Sequence, residues 1–291
     1  MEWYIMICPK CSSQIPDNSM FCSNCGYKFE TKNNNKFNFD KKQKIVILSL
    51  LGIIFLLLLV AAISMNGGTV LRLKDDTRTV MIYLDGTTLE SDGGIASAEL
   101  AAIDPKTLDL NKTNILVYTG GTKKWYNYIK NTENAIYKLT SNGFEKIETY
   151  DQLDLADPET LASFLTYSYE NYKAGHMDLV LFNHGGATTG AISDDLSGNS
   201  LSLVGFKQAL TKSPFSKTNK LELIAFRTCL NGTIENANTF KDFSEYLVAS
   251  EELTYGRSDS NVLGYFINSL PSNEDVLAVG KRFVEAYNRN I

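Results

Sequence analysis

Leu221-Glu-Leu-Ile-Ala-Phe-Arg-Thr-Cys-Leu-Asn-Gly-Thr-Ile-Glu235 decides the architecture of this chain. From Leu221 to Phe226 the residues alternate and then run apolar, the pattern of a buried strand in a parallel sheet. Cys229 follows close behind, and it is the only cysteine beyond Cys25. Asp178-Leu-Val-Leu-Phe-Asn183 repeats the design, with His184-Gly-Gly186 directly after it. In an open α/β sheet, ligands bind beyond the carboxyl ends of neighbouring strands. Two strands ending in an imidazole and a thiol therefore predict a nucleophile and its base at one rim. Gly185 and Gly186 let the backbone turn tightly there and present N–H groups, as an oxyanion requires. Both residues also have a plainer reading: a Cys at a strand end is most often a small buried apolar group, and a loop His a solvated one.

Strands and helices alternate around these two units. Strands are expected over 79–84, 114–118, 179–183, 221–226 and 246–250, and helices over 94–103, 158–173, 203–210 and 275–287. Such alternation predicts a mostly parallel sheet with helices on both faces.

Five stretches carry a resemblance. They are Thr79-Val-Met-Ile-Tyr-Leu-Asp-Gly-Thr-Thr-Leu-Glu90; Asn114-Ile-Leu-Val-Tyr-Thr-Gly-Gly121 with Trp125 beyond it; and Asp157-Pro-Glu-Thr-Leu161, which opens the helix before the His strand. Phe226-Arg-Thr-Cys-Leu-Asn231 with Glu235, and Ala249-Ser-Glu-Glu252, complete the set. In this order they resemble the clostripain family of cysteine peptidases, relatives of caspases, legumains and gingipains. The resemblance implies a caspase-like α/β/α sandwich over residues 77–291 that hydrolyses peptide or protein substrates. It also implies that His184 is the general base and Cys229 the nucleophile.

One position departs from the family pattern. Relatives carry Asp two residues before the nucleophile, where it helps bind Lys or Arg of the substrate; here the residue is Arg227. A guanidinium in that pocket would repel a basic side chain and pair with a carboxylate. Alternatively Arg227 forms a structural ion pair. Preference for Lys or Arg, and self-cleavage after such residues, are therefore not carried over. Arg227 is also the argument for a second class of function, a caspase-like binding or sensory module that has lost turnover.

The chain has 291 residues, more than one domain's worth. Its net charge of −5 points to neither nucleic acid nor an anionic surface as a bulk partner. Composition divides it further. Cys8-Pro-Lys-Cys11 and Cys22-Ser-Asn-Cys25 are two knuckles ten residues apart. Four thiolates so spaced suit one tetrahedral zinc, a closed and structural site, in a zinc ribbon over residues 6–29. A polar, Asn- and Lys-rich linker covers 30–44. Residues 45–65 then run without a charge, long enough for one transmembrane helix. Residues 66–76 link it to the last domain.

Lys36, Lys41, Lys42 and Lys44 crowd the N-terminal flank of the apolar run, whereas Asn66-Gly-Gly68 follows it. Positive flanks stay inside, so the ribbon is expected in the cytoplasm and the 77–291 domain outside a cell membrane. A reducing compartment suits four zinc thiolates, and a protein partner for the ribbon fits that placement.

Three other groups carry candidate side chains. His176 reads as a surface residue. Asp194-Asp195 could bind a cation, and some relatives use calcium, but adjacent loop acids are usually just solvated. Asp85 and Glu90 fall at the rim of His184, where either could steady the site. The chain ends soon after an amphipathic stretch while relatives often continue, which leaves room for a further C-terminal portion.

Overall fold

A computed structural model describes residues 5–17, 19–29, 75–190, 192–254, 261–271 and 275–289. The 30–44 linker, the apolar run 45–65 and most of 66–76 lie outside these residues. Among the described residues no helix is long and apolar enough to cross a membrane. The chain divides into two compact units, Met1–Arg72 and Leu73–Ile291.

In the first unit, β1 (Ile5–Ile7) pairs antiparallel with β2 (Gln14–Pro16). The two knuckles are built alike. Ser12 N–H donates to the Cys8 carbonyl and Gly26 N–H to that of Cys22, each at 2.9 Å. The residue after the second Cys of each knuckle turns left-handed, with φ of 57° at Ser12 and 72° at Gly26. Among the described residues of this unit Cys8, Ile15 and Cys22 form the buried apolar cluster, too few to hold the ribbon folded without a metal.

The second unit is built on one seven-stranded sheet. Its first strand, β3 (Arg78–Asp85), is buried along its whole length. Helices α1 (Thr87–Ser91) and α2 (Ile95–Ala101) follow, then β4 (Thr113–Gly120). A hairpin comes next, β5 (Asn134–Thr140) and β6 (Gly143–Tyr150), and then α3 (Pro158–Tyr172) and β7 (His176–Phe182). The short pair β8 (Ile192–Ser193) and β9 (Ser200–Leu201) precedes α4 (Leu203–Lys212) and β10 (Leu221–Arg227). The chain closes with α5 (Ile234–Phe240), β11 (Ser244–Val248), α6 (Val262–Asn268) and α7 (Val276–Asn288).

Strand order is β11-β10-β7-β3-β4-β5-β6. The five strands from β11 to β4 are parallel, and β5 and β6 add an antiparallel edge. The expected strands and helices are all present. The antiparallel edge was not expected, although Ser141-Asn142-Gly143 between two β-prone runs is a hairpin signal.

Alternation along β3 splits the core into two layers. Val80, Ile82 and Leu84 face one layer with Leu100, Leu263, Phe266 and Phe283 of α2, α6 and α7. Met81 and Tyr83 face the other, with Leu161, Phe164, Phe206 and Phe240 of α3, α4 and α5. The sheet is thus sandwiched between helices. From β3 the chain moves to β4 on one side and later to β7 and β10 on the other. The switch of direction lies between β3 and β7, where an open sheet leaves a crevice at its carboxyl rim.

Candidate active site

Three loops meet at that rim, those after β3, β7 and β10. Four non-glycine residues among those described have positive φ. Three of them lie in these loops: Thr87 (47°), Ala187 (54°) and Leu230 (59°). For side-chain-bearing residues this conformation costs on the order of 1–3 kcal/mol each, and such strain concentrates at functional sites. The geometry marks the rim independently of which residues stand there.

The loop after β7 carries His184, exposed, and the loop after β10 carries Cys229, half-buried. Gly185 joins them: a Cβ built there would sit 1.7 Å from the Cys229 carbonyl oxygen and 2.7 Å from its nitrogen. Only a glycine admits so close a backbone approach. His184 and Cys229 both line a cavity of about 220 Å³, with Leu89, Phe182, Arg227 and Thr254. A second cavity, of about 200 Å³, flanks His184 on the side of Gly186, Thr189 and Ser193.

The two reactive groups are not hydrogen-bonded to each other. The imidazole Nε2 lies 2.9 Å from Thr88 Oγ1. The thiol accepts from Thr254 N–H at 3.3 Å and lies 3.5 Å from the Thr254 hydroxyl. The Ala249–Glu252 stretch holds the Cys loop, since Leu230 N–H donates to the Glu252 carbonyl and Gly232 N–H to that of Ser250.

The two glycines are not equivalent oxyanion donors, contrary to the expectation from their sequence. Gly186 N–H donates at 2.8 Å to the Gly190 carbonyl, closing its own loop, so it cannot receive an oxyanion without breaking that turn. Among the described residues no such bond takes up Gly185 N–H.

Arg227 is the last residue of β10 and is buried. Its Nε donates to Glu99 Oε1 at 3.0 Å, and its Nη2 reaches the same oxygen at 3.0 Å. Glu99, on α2, is wholly enclosed and also accepts from Leu263 N–H at 2.6 Å. The guanidinium lies over the Tyr287 ring, 5.2 Å from its centroid. Burial opposes the charge on Arg227, but Tyr287 and Glu99 outweigh it and push its pKa up. Arg227 therefore borders the cavity as half of a neutral pair.

Asp85 and Glu90 have separate places. Glu90 accepts from Ser97 N–H, Ser97 hydroxyl and Tyr126 N–H, fastening α1 to α2 and to the Trp125 loop. Asp85 is fully buried against Gly121, and among the described residues neither carboxyl oxygen has a hydrogen-bond partner. Burial first, then the charges of Asp194, Asp195 and Asp154, raise its pKa well above the carboxylate range. Asp194 accepts from Leu155, Leu196 and Ser197 N–H groups, so its oxygens brace loops.

His176 is no loose surface residue. It opens β7 at the opposite end of the sheet, where its Nδ1 lies 2.8 Å from Glu222 Oε2. Arg78 bridges Glu222 and Asp178 beside it, forming a buried charged cluster. The first residue of an interior strand is flanked on both sides, which the local sequence does not show.

In the first unit the ligand atoms of Cys8, Cys11, Cys22 and Cys25 all lie within 4.8 Å of one another. Sulfur separations are 3.7 Å for Cys8 and Cys25 and 3.6 Å for Cys11 and Cys22. A tetrahedron with zinc–sulfur bonds of about 2.3 Å has edges of about 3.8 Å, so the four fit a structural zinc.

The assembly is thus a zinc ribbon followed by an α/β domain with a thiol and an imidazole at its carboxyl rim. The profile of the clostripain family matches residues 91–291, and that of a zinc-ribbon domain residues 7–29. The chain belongs to the clostripain family. Comparison with curated proteins finds no significant match.

Among solved structures, the chain is similar to a secreted C11 cysteine protease from Bacteroides thetaiotaomicron in complex with an irreversible peptide inhibitor. That likeness has 20% identity and a TM-score of 0.59, over 72% of this chain and 57% of that one. A secreted C11 cysteine protease of the same organism, "iotapain", gives 16% identity and 0.55, over 72% and 61%. An inactive zymogen C11 protease from Parabacteroides distasonis gives 23% and 0.54, over 74% and 60%. At these identities the likeness is one of fold, and the chain spans 57–61% of their length.

Proposed function

We propose that the chain is a cysteine endopeptidase with Cys229 as nucleophile and His184 as its general base. The observation that carries this reading is that both side chains line one cavity, on loops held together at Gly185, in a member of the clostripain family. Cys229 attacks the scissile carbonyl as thiolate, the reactive form. His184 then gives its proton to the leaving amine and later takes one from the water that releases the acyl group. The oxyanion is held by the N–H groups of Gly185 and Cys229; removing one such donor costs on the order of 10²–10³ in rate. Unbonded reactive groups are common before substrate arrives.

Arg227 stands where relatives place an Asp, so a basic side chain finds no carboxylate there. Because Glu99 neutralises the guanidinium, preference moves away from Lys and Arg toward uncharged side chains. Residues 45–65 anchor the enzyme in the cell membrane, with the zinc ribbon and its protein partner in the cytoplasm and the peptidase domain outside. That topology follows from the lysine-rich flank.

The test is hydrolysis by the full chain of fluorogenic peptides carrying Arg, Lys, Asp, Glu or Ala before the scissile bond. Turnover should vanish in Cys229→Ala. The second reading, a binding module without turnover, draws on the thiol being held by Thr254 and not by His184. Absence of Cys229-dependent cleavage of any peptide, together with slow alkylation of Cys229 at neutral pH, would establish that reading instead.

A further inference from the structure

We infer that Thr88 is the positioning residue of His184: its hydroxyl holds Nε2 and leaves Nδ1 as the nitrogen that exchanges protons with the thiol and the leaving group. This rests on the peptidase reading above and adds to it the third member of the site.

Thr88 Oγ1 lies 2.9 Å from Nε2, and among the described residues no other hydrogen bond or ion pair reaches the His184 ring. The loop that delivers it is built for the purpose. Thr87 is a buried, β-branched residue held at φ 47°, an arrangement that persists only where its surroundings impose it. Those surroundings are visible. Thr122 hydroxyl donates to the Thr87 carbonyl at 2.7 Å, and Gly86 N–H donates to the Gly120 carbonyl at 3.0 Å. Glu90, two residues on, is fastened to Ser97 and Tyr126. A strained turn clamped on both sides thus carries a hydroxyl to the imidazole from the neighbouring strand of the sheet.

The chemistry follows from the donor inventory of the two groups. In neutral imidazole one nitrogen carries the proton and the other a lone pair. With Nε2–H donating to Thr88 Oγ1, the lone pair is on Nδ1, which can take the Cys229 proton. After transfer both nitrogens carry protons, and the hydroxyl oxygen still accepts from Nε2–H, so the cation keeps its partner. Delivery of the Nδ1 proton to the leaving amine restores the starting tautomer. A hydroxyl serves every stage of this cycle, whereas a methyl in its place serves none.

The experiment compares Thr88→Val, which keeps shape without the hydroxyl, and Thr88→Ser, which restores it, with wild type and Cys229→Ala in the full chain. Thr88→Val should lower kcat on the order of tenfold or more with KM within about twofold, and Thr88→Ser should recover most of the rate. The chain has only two histidines, so ¹⁵N-histidine NMR resolves His184 once His184→Gln assigns it. Wild-type neutral His184 should carry its proton on Nε2, and Thr88→Val should redistribute it between the two nitrogens. Cys229-dependent turnover that is the same in Thr88→Val, with an unchanged tautomer, would overturn the role of Thr88 and leave the peptidase reading standing. No Cys229-dependent turnover in the wild type would remove both.

Discussion

Replacing Arg227 with Met removes the buried guanidinium that pairs with the wholly buried Glu99 carboxylate and takes both of its 3.0 Å contacts from Oε1. Oε2 keeps the Leu263 N–H. Breaking a buried pair from one side typically costs about 3–5 kcal/mol, because a charge is left without compensation. The carboxylate that has lost this guanidinium has an escape, which is to bind a proton. Placing one at pH 7 on a carboxyl of ordinary affinity, pKa about 4.3, costs roughly 3.7 kcal/mol, and this caps the electrostatic loss. At pH 5 the same step costs only about 1 kcal/mol. The sign is set by linkage. In Arg227→Met the folded state binds the proton more tightly than the unfolded chain, so stability is retained at low pH and lost as pH rises. Urea denaturation of the full chain should therefore show Arg227→Met about 3–4 kcal/mol less stable than wild type at pH 7, with the gap narrowing toward pH 5. The double variant Arg227→Met, Glu99→Gln should recover most of the loss, since it removes the charge as well as its partner. A single variant within about 1 kcal/mol of wild type at pH 7, or a gap that does not narrow in acid, would refute the neutral-pair reasoning. Specificity supplies a second check: if the pair presents no net charge, the double variant keeps the wild-type ratio of kcat/KM between Asp- and Ala-containing peptides. A tenfold or greater fall in that ratio would mean that Arg227 reads the substrate.

Three further outcomes are expected. Gly185→Ala must part the His and Cys loops, because its Cβ would fall 1.7 Å from the Cys229 carbonyl oxygen; a shift near 1 Å should cost on the order of 10² in Cys229-dependent kcat/KM, and turnover within twofold of wild type would sink the close-approach argument. Asp85→Asn should melt higher than wild type at pH 7. Its raised folded pKa means that wild-type stability is whole below the unfolded value, near pH 4, and falls as pH rises, so the two melting curves should converge in acid; a difference independent of pH counts against this. Purified chain should bind about one zinc by metal analysis, and Cys11→Ser or Cys22→Ser should weaken binding steeply. Full zinc retention by either variant would contradict the four-sulfur site.

Much of the site was legible because its parts are local. A strand followed at once by His184-Gly185, and another followed by Cys229, can be read from apolar runs and their punctuation, and the switch point of an α/β sheet then brings them to one rim. The cysteine knuckles are likewise local, with their spacing set by the tetrahedron they enclose. Gly186 shows the limit of that reading. Two glycines after a histidine look equivalent, yet the N–H of Gly186 is used by Gly190 four residues on, and among the described residues no such bond takes up that of Gly185.

What could not be read is what lies across the sheet. Glu99, which neutralises Arg227, is 128 residues away, and Thr88 is 96 residues from His184. Nothing in the periodicity of α2 distinguishes Glu99 from a solvated helix acid; it is buried because α2, α6 and α7 close over the same layer of the core. Thr87-Thr88 looks like an ordinary polar turn until the left-handed φ of Thr87 is seen. The strain itself follows a physical logic that individual motifs do not carry. A loop free to relax would do so, and Thr87, Ala187 and Leu230 stay strained because three strand ends converge on one crevice. Relieving one should therefore loosen the site before it destabilises the sheet, since the eight residues of β3 are buried below it whatever the turn above them does.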